Sequence, residues 1–212
     1  TLAISPDGKT LVVGGGADKG GEIIVWDTAT GKERRRWEFA SAVASLALSP
    51  DGKTIATGAT DPTKGAAITL WAAATGREVR RLNLPPRTRG TPHRGPVMLA
   101  FSSDGKTLAS PDADTLRRWD AASGEEFRPI ETQVRSLGVA FLDGDKVLMS
   151  WGGTHTVHLW AADTGKPLRH FAGHEGQLHD VAFSPDGKVV ATAGGSDSGV
   201  RFWDAASGKE VG

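Results

Sequence analysis

The stretch VAFSPDGKVVATAGGSDSGVRFWDAASGK at residues 181–209 reads as three strands and two turns. VAF and VVATA are short apolar runs on either side of a Ser-Pro-Asp-Gly turn, and both flanks read as strands. Proline presets φ at the second position of that turn, aspartate tolerates the third, and Gly187 takes the left-handed conformation that closes a tight hairpin. GVRFW then alternates and ends at Trp203, a large anchor. Gly208 stands five residues further on, inside a second turn.

The unit recurs along the whole chain. SPDGKTL stands at 5–11, SPDGKTI at 49–55, SSDGKTL at 102–108 and FLDGDKVL at 141–148, in addition to SPDGKVV at 184–190. Trp26, Trp71, Trp119, Trp160 and Trp203 recur at separations of 45, 48, 41 and 43, and glycine follows each by five residues, at Gly31, Gly76, Gly124, Gly165 and Gly208. A fixed period in this range marks a repeat architecture. Each period holds a strand, the Asp-Gly turn, a second strand, a variable loop, the tryptophan strand, the glycine turn and a more polar fourth strand such as KERRRWEF. Four antiparallel strands per unit make a propeller blade.

With the motif Trp26-Asp27, Trp119-Asp120 and Trp203-Asp204, and alanine following Trp71 and Trp160, the chain resembles the WD-repeat β-propeller family over essentially its whole length. The resemblance implies an all-β fold of five consecutive four-stranded blades over residues 1–39, 40–84, 97–131, 132–173 and 174–212, with an insertion at 85–96. The terminal blades are expected to be incomplete, as an arc of a larger propeller whose usual blade number is seven. It further implies a lock of four polar groups, which maps onto His174, Thr192, Asp197 and Trp203 in the fifth blade. Trp26, Trp71, Trp119 and Trp160 are the anchors of the other four. Their locks are expected to be thinner. The hydroxyl survives at Thr57, Ser110 and Ser150 but is Val13 in the first blade, and the histidine slot reads Phe39 and Thr132 in the second and fourth.

Composition restricts function more than it reveals it. Lysine plus arginine balance aspartate plus glutamate at 25 each, so no global field draws the chain to nucleic acid or an anionic membrane. No apolar run is long enough to span a bilayer as a helix. The absence of cysteine removes disulfides and thiolate metal sites, and leaves the compartment open, with a cytoplasmic location as the working expectation. GGGADKGGE at 14–22 lacks the lysine that a phosphate loop needs and is expected to be a flexible loop between blade strands. His155, His158, His170, His174 and His179 have no carboxylate-rich cluster to complete a metal set. Asp112 and Asp114 read as a solvated turn rather than a calcium site. No G-x-S-x-G elbow occurs, so no catalytic residue, cofactor or metal is assigned.

Two features suit binding. LNLPPRTRGTPHRGP, from residue 82, carries Arg87, Arg89, His93 and Arg94 without one acid, and reads either as a solvated loop stiffened by prolines or as a site for an acidic or phosphorylated partner. Trp151 stands where a strand meets a loop, either capping its blade or presenting an exposed aromatic anchor. The resemblance implies a non-catalytic scaffold that presents loops on one propeller face to a protein or peptide, with further blades of the same chain as neighbours. The alternative is an accessory sensing or substrate-docking region of a larger signalling enzyme such as a bacterial protein kinase.

Overall fold

A computed structural model describes residues 1–17, 20–61, 65–84, 98–152, 155–184, 187–194 and 199–212, and no helix occurs among them. Each repeat becomes one antiparallel sheet in simple up-and-down order. The first contains β1 (Leu2–Ile4), β2 (Thr10–Ala17), β3 (Gly20–Asp27) and β4 (Lys32–Phe39). The second contains β5 (Val43–Leu48), β6 (Thr54–Asp61), β7 (Gly65–Ala72) and β8 (Glu78–Asn83). The third contains β9 (Ala100–Phe101), β10 (Thr107–Asp112), β11 (Thr115–Asp120) and β12 (Ile130–Glu131). The fourth contains β13 (Ser136–Leu142), β14 (Val147–Gly152), β15 (Thr156–Ala161) and β16 (Pro167–Ala172). The fifth has three strands, β17 (Leu178–Phe183), β18 (Val189–Gly194) and β19 (Val200–Asp204), and an isolated bridge from Trp203 to Glu210 marks where a fourth begins.

These residues pair because their turns leave little choice. In the first hairpin Ser5 Oγ donates to Asp7 Oδ1 at 2.6 Å and accepts from Thr10 N at 2.9 Å, while Gly8, at φ 69°, donates its N–H to the Ser5 carbonyl at 2.8 Å. The same set recurs at Ser49, Asp51 and Gly52, and at Ser102, Asp104 and Gly105. A positive φ disfavours any residue with a Cβ, so glycine at this point sets the hairpin length and thereby the register. The hydroxyl bonds of Ser5 and Ser49 hold the Asp7 and Asp51 carboxyls below the usual range; for Asp104 the Lys106 N–H is the larger cause.

The aspartate of Trp-Asp organises the second turn. Asp27 Oδ1 accepts from Thr30 N at 2.8 Å, Asp120 Oδ1 from Ser123 N at 2.6 Å and Asp204 Oδ1 from Ser207 N at 2.7 Å. An Arg34 fork on Asp27, with the Thr30 N–H beside it, lowers that carboxyl to about 2. In every blade the residue two past tryptophan donates its N–H to the carbonyl of the lysine that follows the Asp-Gly turn, as Thr28 to Lys9 and Ala162 to Lys146. Both short turns therefore lie at one end of each sheet, tied together, and the more variable connections lie at the other.

The chain divides into two compact units, residues 1–110 with 119–126, and residues 111–118 with 127–212. In the first unit, Val12, Ile23 and Val25 of the first sheet close on Leu46, Ile55 and Trp71 of the second, with Phe39 on Trp71 at 5.1 Å between ring centroids. The next layer places Ala56, Ile68, Leu70 and Leu82 against Leu99, Leu108 and Trp119. In the second unit Leu116, Ile130, Leu148, Val157, Trp160 and Val190 are buried, and Phe171 stacks on Trp203 at 5.9 Å. The strands alternate because each sheet buries both faces against neighbouring sheets near its centre and exposes its outer strand, as β4 shows.

Two sequence expectations need correction. GGGADKGGE is no flexible loop: Gly14 pairs with Ile23, Gly15 with Glu22, Gly16 with Gly21 and Ala17 with Gly20 across the β2–β3 ladder. Gly14 and Gly21 answer to close approach, since a Cβ on Gly14 would lie 2.9 Å from Leu46 Cδ1 and one on Gly21 2.2 Å from the Ser41 carbonyl oxygen. Asp112 is not solvated either. Arg117 Nε donates to its carboxylate at 2.8 Å, with the two side chains 16% and 9% exposed.

Candidate interaction surface and blade locks

Three of the four proposed lock groups meet in the fifth blade. β18 and β19 pair Thr192 with Arg201, which brings Thr192 beside Trp203 on the next strand. Trp203 Nε1 donates to Thr192 Oγ1 at 2.8 Å, and His174 Nε2 lies 2.6 Å from the same oxygen. All three side chains are buried. Asp197 lies outside the described residues. A buried indole N–H and imidazole nitrogen need partners, and one hydroxyl serves both because it can accept and donate at once.

The other blades keep part of this arrangement. Trp71 Nε1 donates to Thr57 Oγ1 at 2.8 Å and Trp160 Nε1 to Ser150 Oγ at 3.0 Å. Ser110 Oγ donates to the Met98 carbonyl at 3.0 Å. Where histidine is replaced, Phe39 lies on the Trp71 rings and Thr132 Oγ1 donates to the Val134 carbonyl at 2.8 Å. Trp26, with Val13 in the hydroxyl slot, is half-buried.

The features proposed for partner binding separate. Arg87, Arg89, His93 and Arg94 lie outside the described residues; β8 ends and β9 begins at the variable end of their blades. Of the two readings of Trp151, the exposed anchor is corrected: the side chain is 4% exposed and packs within its blade. Its indole lies over Gly138, where a Cβ would come within 2.1 Å of Trp151 Cε2. The neighbouring strand has no side chain at that point, so the ring fills the space instead.

The sequence reading missed a second kind of contact, which joins one blade to the next. Arg80 Nη2 donates to the Ala122 carbonyl at 2.8 Å, and Arg35 Nη1 to the Thr75 carbonyl at 3.4 Å. The Arg118 guanidinium donates to the carbonyls of Ala162 and, at 3.2 Å, Arg128, and lies over the Phe127 ring at 5.7 Å. Arg118 occupies the place that Val25, Leu70 and Leu159 fill elsewhere, one residue before the tryptophan. Burial pushes its pKa down, with the Asp163 charge opposing. This position was legible only as a polar interruption of an apolar column.

His158 and His170 face each other across β15 and β16 with ring centroids 6.1 Å apart, and His158 stacks on Trp160 at 5.9 Å. Burial, followed by the His170 charge, lowers the His158 pKa. No group of three or more metal-ligating side chains occurs among the described residues.

Comparison with known proteins places this geometry. The WD domain, G-beta repeat model matches residues 32–63 and 165–204. The mouse WD repeat-containing protein 3 is 32% identical over 113 residues, which is 53% of this chain and 12% of that protein. The chicken serine-threonine kinase receptor-associated protein is 30% identical over 108 residues, 51% of this chain and 28% of its own. An uncharacterised WD repeat-containing protein of the cyanobacterium Synechocystis is 27% identical over 114 residues, 53% and 33%. The chain thus spans a third or less of the length of each. With five matched sheets, the Trp-Asp turns and these relatives in agreement, the chain belongs to the WD-repeat family, and its sheets are blades of a β-propeller.

Proposed function

We propose that this chain is a non-catalytic scaffold that binds a protein or peptide partner through the loops at the variable end of its blades. The observation that carries this reading is the asymmetry between blade ends. At one end both turns are short and bonded to each other in every blade. At the other, connections range from the two residues 113–114 to the stretch 84–99. A rigid scaffold with variable loops at one end is the arrangement in which loops carry recognition. The name of the chicken relative, serine-threonine kinase receptor-associated protein, supports the same reading. Arg87, Arg89 and Arg94 within the longest connection favour an acidic or phosphorylated group, because the guanidinium fork donates two parallel hydrogen bonds. The test is a pull-down from native lysate with wild type and with Arg87, Arg89 and Arg94 all changed to glutamate. Loss of a wild-type partner from a variant with unchanged melting supports the proposal; retention of every partner refutes it.

A further inference from the structure

The turn between β13 and β14 of the fourth blade departs from its counterparts by one residue. Ile4 pairs with Leu11 and Phe141 with Leu148, so Ser5, Pro6, Asp7, Gly8 and Lys9 correspond in place to Leu142, Asp143, Gly144, Asp145 and Lys146. The tie to the second turn agrees, because Ala162 donates its N–H to the Lys146 carbonyl as Thr28 does to that of Lys9. The Asp-Gly pair is thereby moved one position towards the start of the turn. Asp143, Gly144 and Asp145 follow one another at φ 49°, 58° and 69°, and Asp145 takes the left-handed place that Gly8 holds. Two residues with a Cβ are thus held where side chains are disfavoured.

In the first three blades both groups that an Asp-Gly pair can join are occupied. The carboxylates of Asp7, Asp51 and Asp104 accept from a serine hydroxyl at 2.6, 2.7 and 2.7 Å. They also accept from the N–H of Lys9, Lys53 and Lys106 at 3.0, 3.0 and 2.9 Å. These bonds hold the three acids below the usual carboxylate range. The N–H of Gly8, Gly52 and Gly105 donates to the serine carbonyl at 2.8, 2.8 and 2.9 Å. In the fourth blade Leu142 stands in the place of that serine and offers no hydroxyl. Its turn is closed by Lys146 N on the Asp143 carbonyl, at 3.3 Å, rather than by the glycine. Asp143 and Gly144 are both exposed. Asp186, in the fifth blade, lies outside the described residues.

We infer that Asp143–Gly144 is a modification site, at which the main chain isomerises from aspartyl to isoaspartyl. The Gly144 nitrogen attacks Cγ of the protonated Asp143 carboxyl, and glycine has no side chain to block the approach. The N–Cγ bond forms, the carboxyl hydroxyl leaves with the amide proton as water, and a five-membered succinimide results. Water then adds to the ring carbonyl that belonged to the Asp143 main chain and breaks its bond to nitrogen. The chain now runs through Cγ and the α-carboxylate is free. One water is lost and one gained, so no other reactant is needed. In the serine turns the bonded carboxylate resists protonation and the bonded amide is fixed in place, which slows the first step. The product is of the class esterified by isoaspartyl-directed methyltransferases. This site lies at the short-turn end of its blade and is independent of partner binding at the variable loops.

The test incubates the full chain in neutral buffer, digests it with trypsin, and labels the peptides with an isoaspartyl methyltransferase and radiolabelled S-adenosylmethionine. Trypsin releases the four Asp-Gly pairs in separate peptides, residues 1–9, 37–53, 95–106 and 136–146. Label in 136–146 is expected to accumulate about tenfold faster than in the other three, the factor in rate that one net hydrogen bond represents. Asp143→Glu, which would have to close a six-membered ring, should abolish it. Ser49→Ala and Ser102→Ala each remove a hydroxyl and should raise the label at Asp51 and Asp104, with cooperative melting showing that each variant is folded. In chain unfolded by urea the four peptides should label at similar rates. Equal label in the folded chain or none in 136–146 overturns the inference. So do label that persists in Asp143→Glu, serine variants that leave Asp51 and Asp104 unchanged, and a preference for 136–146 that survives in urea and so traces to local sequence instead of the turn.

Discussion

Changing Thr192 to valine keeps the shape of the side chain and removes one oxygen. That oxygen accepts the Trp203 indole N–H at 2.8 Å and lies 2.6 Å from His174 Nε2, and Thr192 is 1% exposed. The substitution therefore leaves two buried polar groups short of a partner without opening a cavity. An orphaned buried donor or acceptor costs about 1–3 kcal/mol, so two of them cost about 2–6 kcal/mol, less whatever His174 recovers by turning. The comparison is Thr57→Val in the second blade, where the hydroxyl serves the Trp71 indole and makes only a 3.5 Å approach to the Thr69 carbonyl. Its cost should be the smaller, about 1–3 kcal/mol. The assay is urea unfolding at neutral pH, with unchanged slope taken as the sign that the same surface is exposed. Adding Trp203→Phe, which deletes the N–H, should recover part of the Thr192→Val cost as a coupling between the two sites. Equal losses for Thr192→Val and Thr57→Val, or strict additivity with Trp203→Phe, would refute the idea that one hydroxyl satisfies two buried groups.

Further outcomes follow from side-chain surroundings. Gly138→Ala should cost more than the usual 1–3 kcal/mol of overpacking, roughly 3 or above, because its Cβ overlaps the Trp151 indole; Gly15→Ala, with nothing within 4 Å, should be neutral or stabilising, and thermal melts compare the two. Arg118→Leu should be neutral or stabilising by up to ~1 kcal/mol in chemical denaturation, since leucine fits a column already filled by Val25, Leu70 and Leu159 and the buried guanidinium is held by carbonyls. His158 has a lowered pKa in the fold, so the unfolded chain binds more protons as pH falls. Its contribution to stability is complete above the ordinary imidazole value and is lost on acidification towards the folded value. Melting temperature should fall less steeply between about pH 7 and 5 in His158→Phe than in wild type. An NMR titration should place Asp27 at about 2, and Arg34→Met should return it towards the ordinary value of 3.8.

Sequence alone determined the strand order, the turns and the blade count, because those depend on local chemistry repeated five times. Glycine at a positive φ, a serine and an aspartate that bond within the same turn, and a tryptophan closing an alternating run act over a few residues, so their spacing is readable without a fold. The hydrogen bond between Thr192 and Trp203 was implied by the resemblance to WD repeats and not by any local pattern. Burial was not legible, since it depends on what the neighbouring blade supplies. Trp151 at a strand end reads either as a blade cap or as an exposed anchor, and the missing side chain at Gly138, which leaves room for its ring, decides for the cap. GGGADKGGE reads as a loop because glycine is permissive, yet residues 14–17 and 20–22 are strand, and Leu46 at Gly14 and Ser41 and Phe39 at Gly21 approach so closely that only glycine fits at those two positions. Arg118 interrupts a column that Val25, Leu70 and Leu159 fill in other blades, and the carbonyl of Ala162 in the next blade gives it a buried place. Inter-blade contacts join residues forty or more positions apart in the chain, as Arg118 with Ala162 or Arg80 with Ala122. No local pattern encodes which side chain meets which carbonyl, so the tertiary structure alone decided those contacts.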